Sequence, residues 1–317
     1  MKKTTKKAWA VTAAAALSLS VLATGCGNTA PEEPSTPEDE TPTFNMAESV
    51  TGGPRSDTYI NGVVYQESAE VAGLQYQAYQ LARVRLDERI ADQKAGKYEK
   101  PIAIISDIDD TLASDCNYMA GVLLNDPTWD NTHWDGYYYA LASTSNVAIP
   151  GAVEFCNYAK DQGVEVFYIT NRLYDQVDIT VAQLERLGFP NADKEHVQVC
   201  NEEGSSNKDE RRANVQANYD VVMYMGDNIG DFTSAFKREM GSIARTEMAS
   251  APEYKDKWGV EWIVLPNATY GDYCGAAWNN DKSLDAAGRA AAVRDLVNHY
   301  AYTNEDEYEC WYPDVKE

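Results

Sequence analysis

Pro101-Ile102-Ala103-Ile104-Ile105-Ser106-Asp107-Ile108-Asp109-Asp110-Thr111 is the stretch that decides the fold. Its apolar run has the length of a strand buried in a parallel sheet, and we place a first strand at 102–107. Three carboxylates at the end of such a strand repel one another and are costly to desolvate. A divalent cation would give them a reason to be there. Alternate residues of an extended segment point to one side, so Asp107 and Asp109 can face one site together, one as nucleophile and one as proton carrier. The plain alternative is an acidic turn that caps the next helix. Against it stands a second acidic cluster after a second apolar run: Val221-Val222-Met223-Tyr224-Met225, then Gly226-Asp227-Asn228-Ile229-Gly230-Asp231-Phe232.

Outward from these motifs the chain alternates strands and helices. Tyr65 to about Lys94 reads as a long helix with Ala69, Ala72, Leu74, Tyr76, Ala78, Tyr79, Leu81 and Ala82 as apolar candidates. Residues 112–148 are irregular, aromatic and rich in Asn and Asp, which suits an insertion over the strand ends. Pro150-Gly151-Ala152 opens a helix that closes at Gly163, a proline-start, glycine-end pattern. Val164–Ile169 is a second strand, and a helix around 175–187 ends at Gly188 with Pro190 beyond. Another helix follows Lys208, a third strand spans 220–225, and a helix is expected near Asp231. Trp262–Leu265 makes a fourth strand and Leu284 to Tyr302 an amphipathic terminal helix. This order predicts an α/β fold: a Rossmann-like, doubly wound parallel sheet. Such sheets bind ligands at the carboxyl ends of their strands. Three of these strands end in polar groups: Asp107, then Thr170-Asn171-Arg172, then Asp227.

The first residues stand apart from the fold. Lys2, Lys3, Lys6 and Lys7 precede an apolar, small-residue run, Ala8 to Ala23, and Thr24-Gly25-Cys26 follows. This looks like a bacterial lipoprotein signal over 1–25, with lipid carried on Cys26. Leu22 lies one place further from the cysteine than the usual pattern has it. An ordinary secretory signal and an uncleaved anchor are the alternatives, and all three export the chain. Residues 26–57, with Pro31, Glu32, Glu33, Pro34, Pro37, Glu38, Asp39, Glu40 and Pro42, read as a disordered acidic tether. Residues 58–317 are left for one α/β domain with its insertion around 113–148.

The net charge of −23 makes a nucleic-acid polymer an unexpected partner, since its binders need basic patches. Nor can the global field draw anions inward, so an anion site must make its own positive potential. Six cysteines include Cys26; Cys116, Cys156, Cys200, Cys274 and Cys310 remain, an odd number whose pairing is left open. Oligomeric state is left open too, a homodimer included.

The order DxDxT, a strand-end Thr, a Lys, then GDxxxD resembles the haloacid dehalogenase superfamily. More closely, Ser106–Leu112, Phe167-Tyr168-Ile169-Thr170-Asn171-Arg172, Lys208 with Arg211, and Gly226–Phe232 look like the class C, nonspecific acid phosphatases, often bacterial surface lipoproteins. Two flanking stretches share that likeness: Tyr65–Glu70 with Tyr76–Tyr79, and Leu265–Asp272. The likeness spans roughly 60–275. It implies a small, mainly helical cap over the core and hydrolysis of small phosphomonoesters, 5′-nucleotides and aryl phosphates foremost. Asp107 would form an aspartyl-phosphate, and Asp109 would protonate the leaving oxygen and then activate water. Magnesium would be held by Asp107, the Asp109 main-chain carbonyl and Asp227, with Asp231 supporting from outside. Thr170 and Lys208 would hold phosphoryl oxygens. Asn171, Arg172 and Arg211 would touch substrate, although ion pairing weighs equally for the arginines, and Arg212 could stand in for Arg211. Trp134 and Tyr270 would sandwich a base or aryl ring, while His133 departs from the family pattern and reads as a cap-surface residue. The likeness further implies an enzyme anchored by lipid on the extracytoplasmic face of the cell membrane. A phosphotransferase or sugar-phosphate phosphatase of the same superfamily, or a lipoprotein binding module without catalysis, are the competing readings.

Overall fold

The apolar run forms the central strand of the sheet. A computed structural model of the protein describes residues 57–125 and 145–300. In it β1 is Ile102–Ser106, all five residues buried. It pairs in parallel with β2, Glu165–Ile169, on one side and with β4, Asp220–Gly226, on the other. A two-residue β3, Val197–Gln198, extends the sheet beyond β2, and β5, Trp262–Val264, extends it beyond β4. The order is β3-β2-β1-β4-β5, every pairing parallel. Adjacent β1 and β4 mark the point where the strand order reverses, the crevice where such sheets bind ligands.

Alternation along β1 divides the core. Ile102 and Ile104 pack with Leu86 and Ile90, and with Phe155 and Leu184. Ala103 and Ile105 pack with Phe167, Ile169 and Val215 on the opposite face. The first face is covered by α2, Ala69–Lys94, by α4, Ala152–Asp161, and by α5, Val177–Leu187. The second is covered by α6, Asp209–Gln216. Helices on both faces explain why the strand reads apolar throughout rather than alternating.

The single long helix expected from Tyr65 is two helices. Helix α1, Asp57–Gln66, begins on the residue where we ended the tether. The chain breaks at Glu67-Ser68, and the Ser68 hydroxyl accepts from the Val71 N–H at 3.2 Å to cap α2. The buried face of α2 is Val71, Gln75, Tyr79, Ala82, Leu86 and Ile90. Of the apolar candidates, only Tyr79 and Ala82 lie on it; Leu74 and Tyr76 are exposed.

Three other expectations change. The segment thought irregular contains α3, Cys116–Asn125. No α-helix begins near Asp231: a 3₁₀ turn spans Ile229–Asp231, another Arg238–Met240, and only then come α7, Gly241–Ala249, and α8, Pro252–Lys255. Strand β3 was not anticipated, being too short to show a pattern. The last described elements are α9, Asp272–Ala276, and α10, Ala286–Tyr300. No helix among the described residues is long and apolar enough to cross a membrane. The leader, Cys26, most of the tether, His133, Trp134 and Cys310 lie outside the described residues. Of the described cysteines, Cys116, Cys156 and Cys200 are buried free thiols.

Candidate active site

Pairing of Ser106 with Met225 brings the next residues of β1 and β4 side by side. Asp107 leaves β1 with its N–H donated to the Met225 carbonyl at 2.9 Å, and Asp227 follows β4. Between them stands Thr111, whose hydroxyl donates to Asp227 Oδ1 at 3.2 Å and lies 3.5 Å from Asp107 Oδ2. Asp110 makes the tight return this requires, at a φ of 54°. Its Oδ1 accepts the Asp115 N–H at 3.1 Å, a local bond of the kind that lets an aspartate adopt left-handed backbone.

Lys208 enters from the start of α6 and is only 4% exposed. Its ammonium bonds Asp107 Oδ1, donates to Asp231 Oδ1 at 2.7 Å and to the Ile169 carbonyl at 2.6 Å. All three ammonium protons therefore have acceptors. Burial works to lower the Lys208 pKa, but the carboxylates of Asp107 and Asp231 outweigh it and hold it at about 12. Asp231 is held in turn by the Asn228 N–H on Oδ2, 2.9 Å away. The sheet leaves no room beside it: a Cβ on Gly226 would lie 2.3 Å from Asp231 Oδ2. That glycine is fixed by close approach rather than by a turn.

Asp107, Asp227 and Asp231 each offer an oxygen, and these lie within 4.8 Å of one another. Burial pushes the Asp107 carboxyl up to about 7, with Asp231 and Asp109 adding to the rise and Lys208 opposing it. Asp227 is raised well above the ordinary carboxylate range, by burial first and then by Asp231, Asp107 and Asp110. Buried carboxylates gathered this closely are a set of hard oxygen donors that fits a divalent cation, one that binds through few carboxylates and keeps places for water and phosphate.

The Asp109 side chain belongs to a different environment. The Thr170 hydroxyl donates to its Oδ2 at 3.0 Å, and Arg172 Nη2 donates to its Oδ1 at 2.6 Å. Arg172 is itself fixed by Thr180 Oγ1 at 3.2 Å and by Gln183 on α5. Arg172 thus forms an ion pair with Asp109 at the site. Arg211 braces the same loop, bonding the Thr170 carbonyl and donating to Asn171 Oδ1 at 2.7 Å. Arg212 is not interchangeable with it: its Nη1 donates to the Gly230 and Asp231 carbonyls at 2.9 and 3.0 Å. The tips of β1, β2 and β4 therefore gather Asp107, Asp109, Thr170, Arg172, Lys208, Asp227 and Asp231. Exposed Asn171 stands at the rim of a polar cavity of about 370 Å³ that opens onto Lys208 and Asp231.

Tyr270 comes to the site on the loop after β5. Burial lifts the Asp110 carboxyl to about 7 even though the Asp115 N–H and then the Tyr270 hydroxyl pull it down. Trp134, its expected partner, lies outside the described residues. Three contributors had no role in the sequence reading. Asn267 donates to Asp227 Oδ2 at 2.8 Å, the Tyr79 hydroxyl donates to the Thr111 carbonyl at 2.5 Å, and Gln66 grips the Asn267 loop. The only signal for them was membership of the two flanking stretches.

Residues 51–273 match the family described as HAD superfamily, subfamily IIIB (acid phosphatase). The structure of the class C acid phosphatase from Bacillus anthracis is similar to this chain, with a TM-score of 0.66 and 27% identity over 78% of this chain and 98% of that one. The crystal structure of the Bacillus anthracis enzyme with tungstate bound matches to the same extent.

Proposed function

Because the chain belongs to the class C acid phosphatases of the HAD superfamily and is a phosphomonoesterase, we propose that it uses magnesium to hydrolyse small phosphomonoesters, 5′-nucleotides and aryl phosphates foremost, through an aspartyl-phosphate on Asp107. The observation that carries this reading is the division of labour between two carboxylates two residues apart. Asp107 is paired with a buried ammonium beside Asp227 and Asp231, while Asp109 is held by Thr170 and Arg172.

In the first half-reaction an Asp107 oxygen attacks phosphorus and the ester P–O bond breaks. Asp109 gives its proton to the leaving oxygen, so the alcohol departs neutral. In the second half, Asp109 takes a proton from water as the water oxygen attacks phosphorus. The Asp107–phosphorus bond breaks, inorganic phosphate leaves, and both carboxyls return to their starting states. Lys208 offsets the charge on the phosphoryl oxygens, at a site its own carboxylate partners hold ready. Magnesium bound by Asp107, the Asp109 carbonyl and Asp227 would supply positive charge that keeps these carboxylates ionised and stabilises the phosphoryl group.

Tyr270 beside Asp110 and the aromatic segment around Trp134 support a leaving group with a π face. The basic leader, apolar run and Cys26 support attachment by lipid to the outer face of a membrane. Phosphate release from nucleotide, aryl, sugar and glycerol phosphates, with and without chelator, tests the reading. Activity should vanish on chelation, return with magnesium, and be highest for ring-bearing substrates. Full activity in excess chelator removes the metal. Preference for sugar phosphates removes the substrate class, and phosphate transfer to an added alcohol would make the enzyme a phosphotransferase.

A further inference from the structure

Apart from Tyr270, the two flanking stretches, Tyr65–Glu70 and Leu265–Asp272, have no task in the chemistry above, yet the fold brings them together. Gln66 ends α1 and is 4% exposed. Its Nε2 donates to the Pro266 carbonyl at 2.8 Å, and its Oε1 accepts from the Ala268 N–H at 3.0 Å. One amide thus grips the main chain on both sides of Asn267. Helix α1 is seated closely on this loop: a Cβ on Gly62, one turn earlier, would lie 2.9 Å from the Ala268 carbonyl oxygen.

Asn267 has both ends of its own amide committed. Oδ1 accepts from the Thr269 N–H and hydroxyl, each at 2.8 Å, and from the Tyr270 N–H at 3.3 Å. Nδ2 donates to Asp227 Oδ2 at 2.8 Å and to Asp110 Oδ2 at 3.4 Å. Donors on one side and carboxylates on the other fix which way the amide points. Asp227 is therefore held by two neutral donors, Thr111 on Oδ1 and Asn267 on Oδ2. A neutral donor orients a carboxylate without bringing a charge that competes with a cation. Without Asn267, only Thr111 would restrain Asp227 against repulsion from its acidic neighbours.

We propose that Gln66 and Asn267 are a positioning pair that sets the Asp227 carboxylate for the metal, so that α1 tunes cation affinity from outside the catalytic motifs. The proposal rests on the metal reading of Asp107 and Asp227. Loss of an outer partner of a metal ligand typically weakens binding about 10- to 100-fold.

Magnesium titration of the chelator-stripped full chain, followed by calorimetry, tests it beside a metal-free melting curve. Asn267→Ala should weaken magnesium by about 10- to 100-fold. Gln66→Leu, which touches no carboxylate, should act in the same direction by a smaller factor. At saturating magnesium kcat should recover in both, which a collapsed site would not permit. Should either variant fail to fold, Gln66→Glu carries the test. It keeps the side-chain volume and the acceptor for Ala268 while losing the donor to Pro266. Unchanged magnesium affinity in a folded variant with a lowered melting temperature would make the network purely structural and overturn the proposal. If the unaltered protein itself binds no magnesium, the metal reading falls and the proposal falls with it; weak binding confined to the variants leaves that reading standing.

Discussion

Asp107 and Asp109 are separated by one residue, and their surroundings make them chemically unlike. Lys208 touches the first, and Thr170 and Arg172 hold the second. If Asp109 is the proton carrier, its value depends on how poor the leaving group is. General acid–base catalysis contributes about 10²- to 10⁴-fold. Asp109→Asn should therefore slow glycerol phosphate by that order and slow p-nitrophenyl phosphate much less, because a nitrophenolate needs little protonation. Asp107→Asn should abolish turnover of both. The comparison is kcat/KM for the two substrates in each variant, and equal slowing of both by Asp109→Asn would reject the proton-transfer role. At this scale the sequence was most informative, since carboxylates at strand ends need partners and the partners were in the motifs. For Asn267 and Gln66 its only signal was the family likeness of their stretches, because an amide that bonds main chain leaves no charge pattern. Arg172, for which ion pair and substrate contact weigh equally in the sequence, is ion-paired with Asp109 and steadied by Thr180 and Gln183 one helix away.

Helix α2 shows how packing overrides composition. Its apolar residues lie on more than one side, and the buried stripe runs Val71, Gln75, Tyr79, Ala82, Leu86, Ile90, spaced by threes and fours. A reading that collects apolar residues picks Leu74 and misses Leu86. The difference is measurable: Leu86→Ala should cost about 2–5 kcal/mol of stability, and Leu74→Ala no more than about 0.5 kcal/mol. Denaturant melts of both would reverse this picture if Leu74 proved the costlier. The strands were legible because burial on both faces forces long apolar runs. Short β3 and the 3₁₀ turns after β4 were not, since two or three residues carry no period. A second element-level test lies at the amino ends of β2 and β3. Burial raises the Asp193 pKa, but bonds from His196 outweigh it; burial likewise raises Glu165, and Lys160 and Asn191 outweigh it there. Both carboxyls end below their ordinary values. Depressed carboxyls stabilise the fold at pH above their unfolded values, and that stability is lost as pH falls through the folded ones. Melting temperatures of the unaltered protein and of Asp193→Asn and Glu165→Gln should therefore differ at about pH 6 and converge toward about pH 2. A gap that stays constant across this range would show that the charges contribute nothing.

At the scale of the whole molecule, a net charge of −23 faces a substrate that is itself an anion. The chain answers locally: Arg172, Lys208, Arg211 and Arg212, none more than 8% exposed, converge on the strand ends. Each is already bonded to carboxylate or carbonyl oxygens, so little of their field escapes the site. Two ranges of electrostatics then act with opposite sign. Within a few ångströms the cations favour phosphate, while farther out the acidic surface repels it. Added salt removes the long-range part first, because the screening length shrinks from about 30 Å at 0.01 M to about 8 Å at 0.15 M, while buried pairs are screened much less. Raising sodium chloride across that range at fixed magnesium should therefore increase kcat/KM for a dianionic phosphomonoester, mainly through KM. A steered enzyme with a basic funnel would lose kcat/KM over the same range. A fall here would mean that the buried cations project further than their pairing allows, and the separation of near attraction from far repulsion would be wrong.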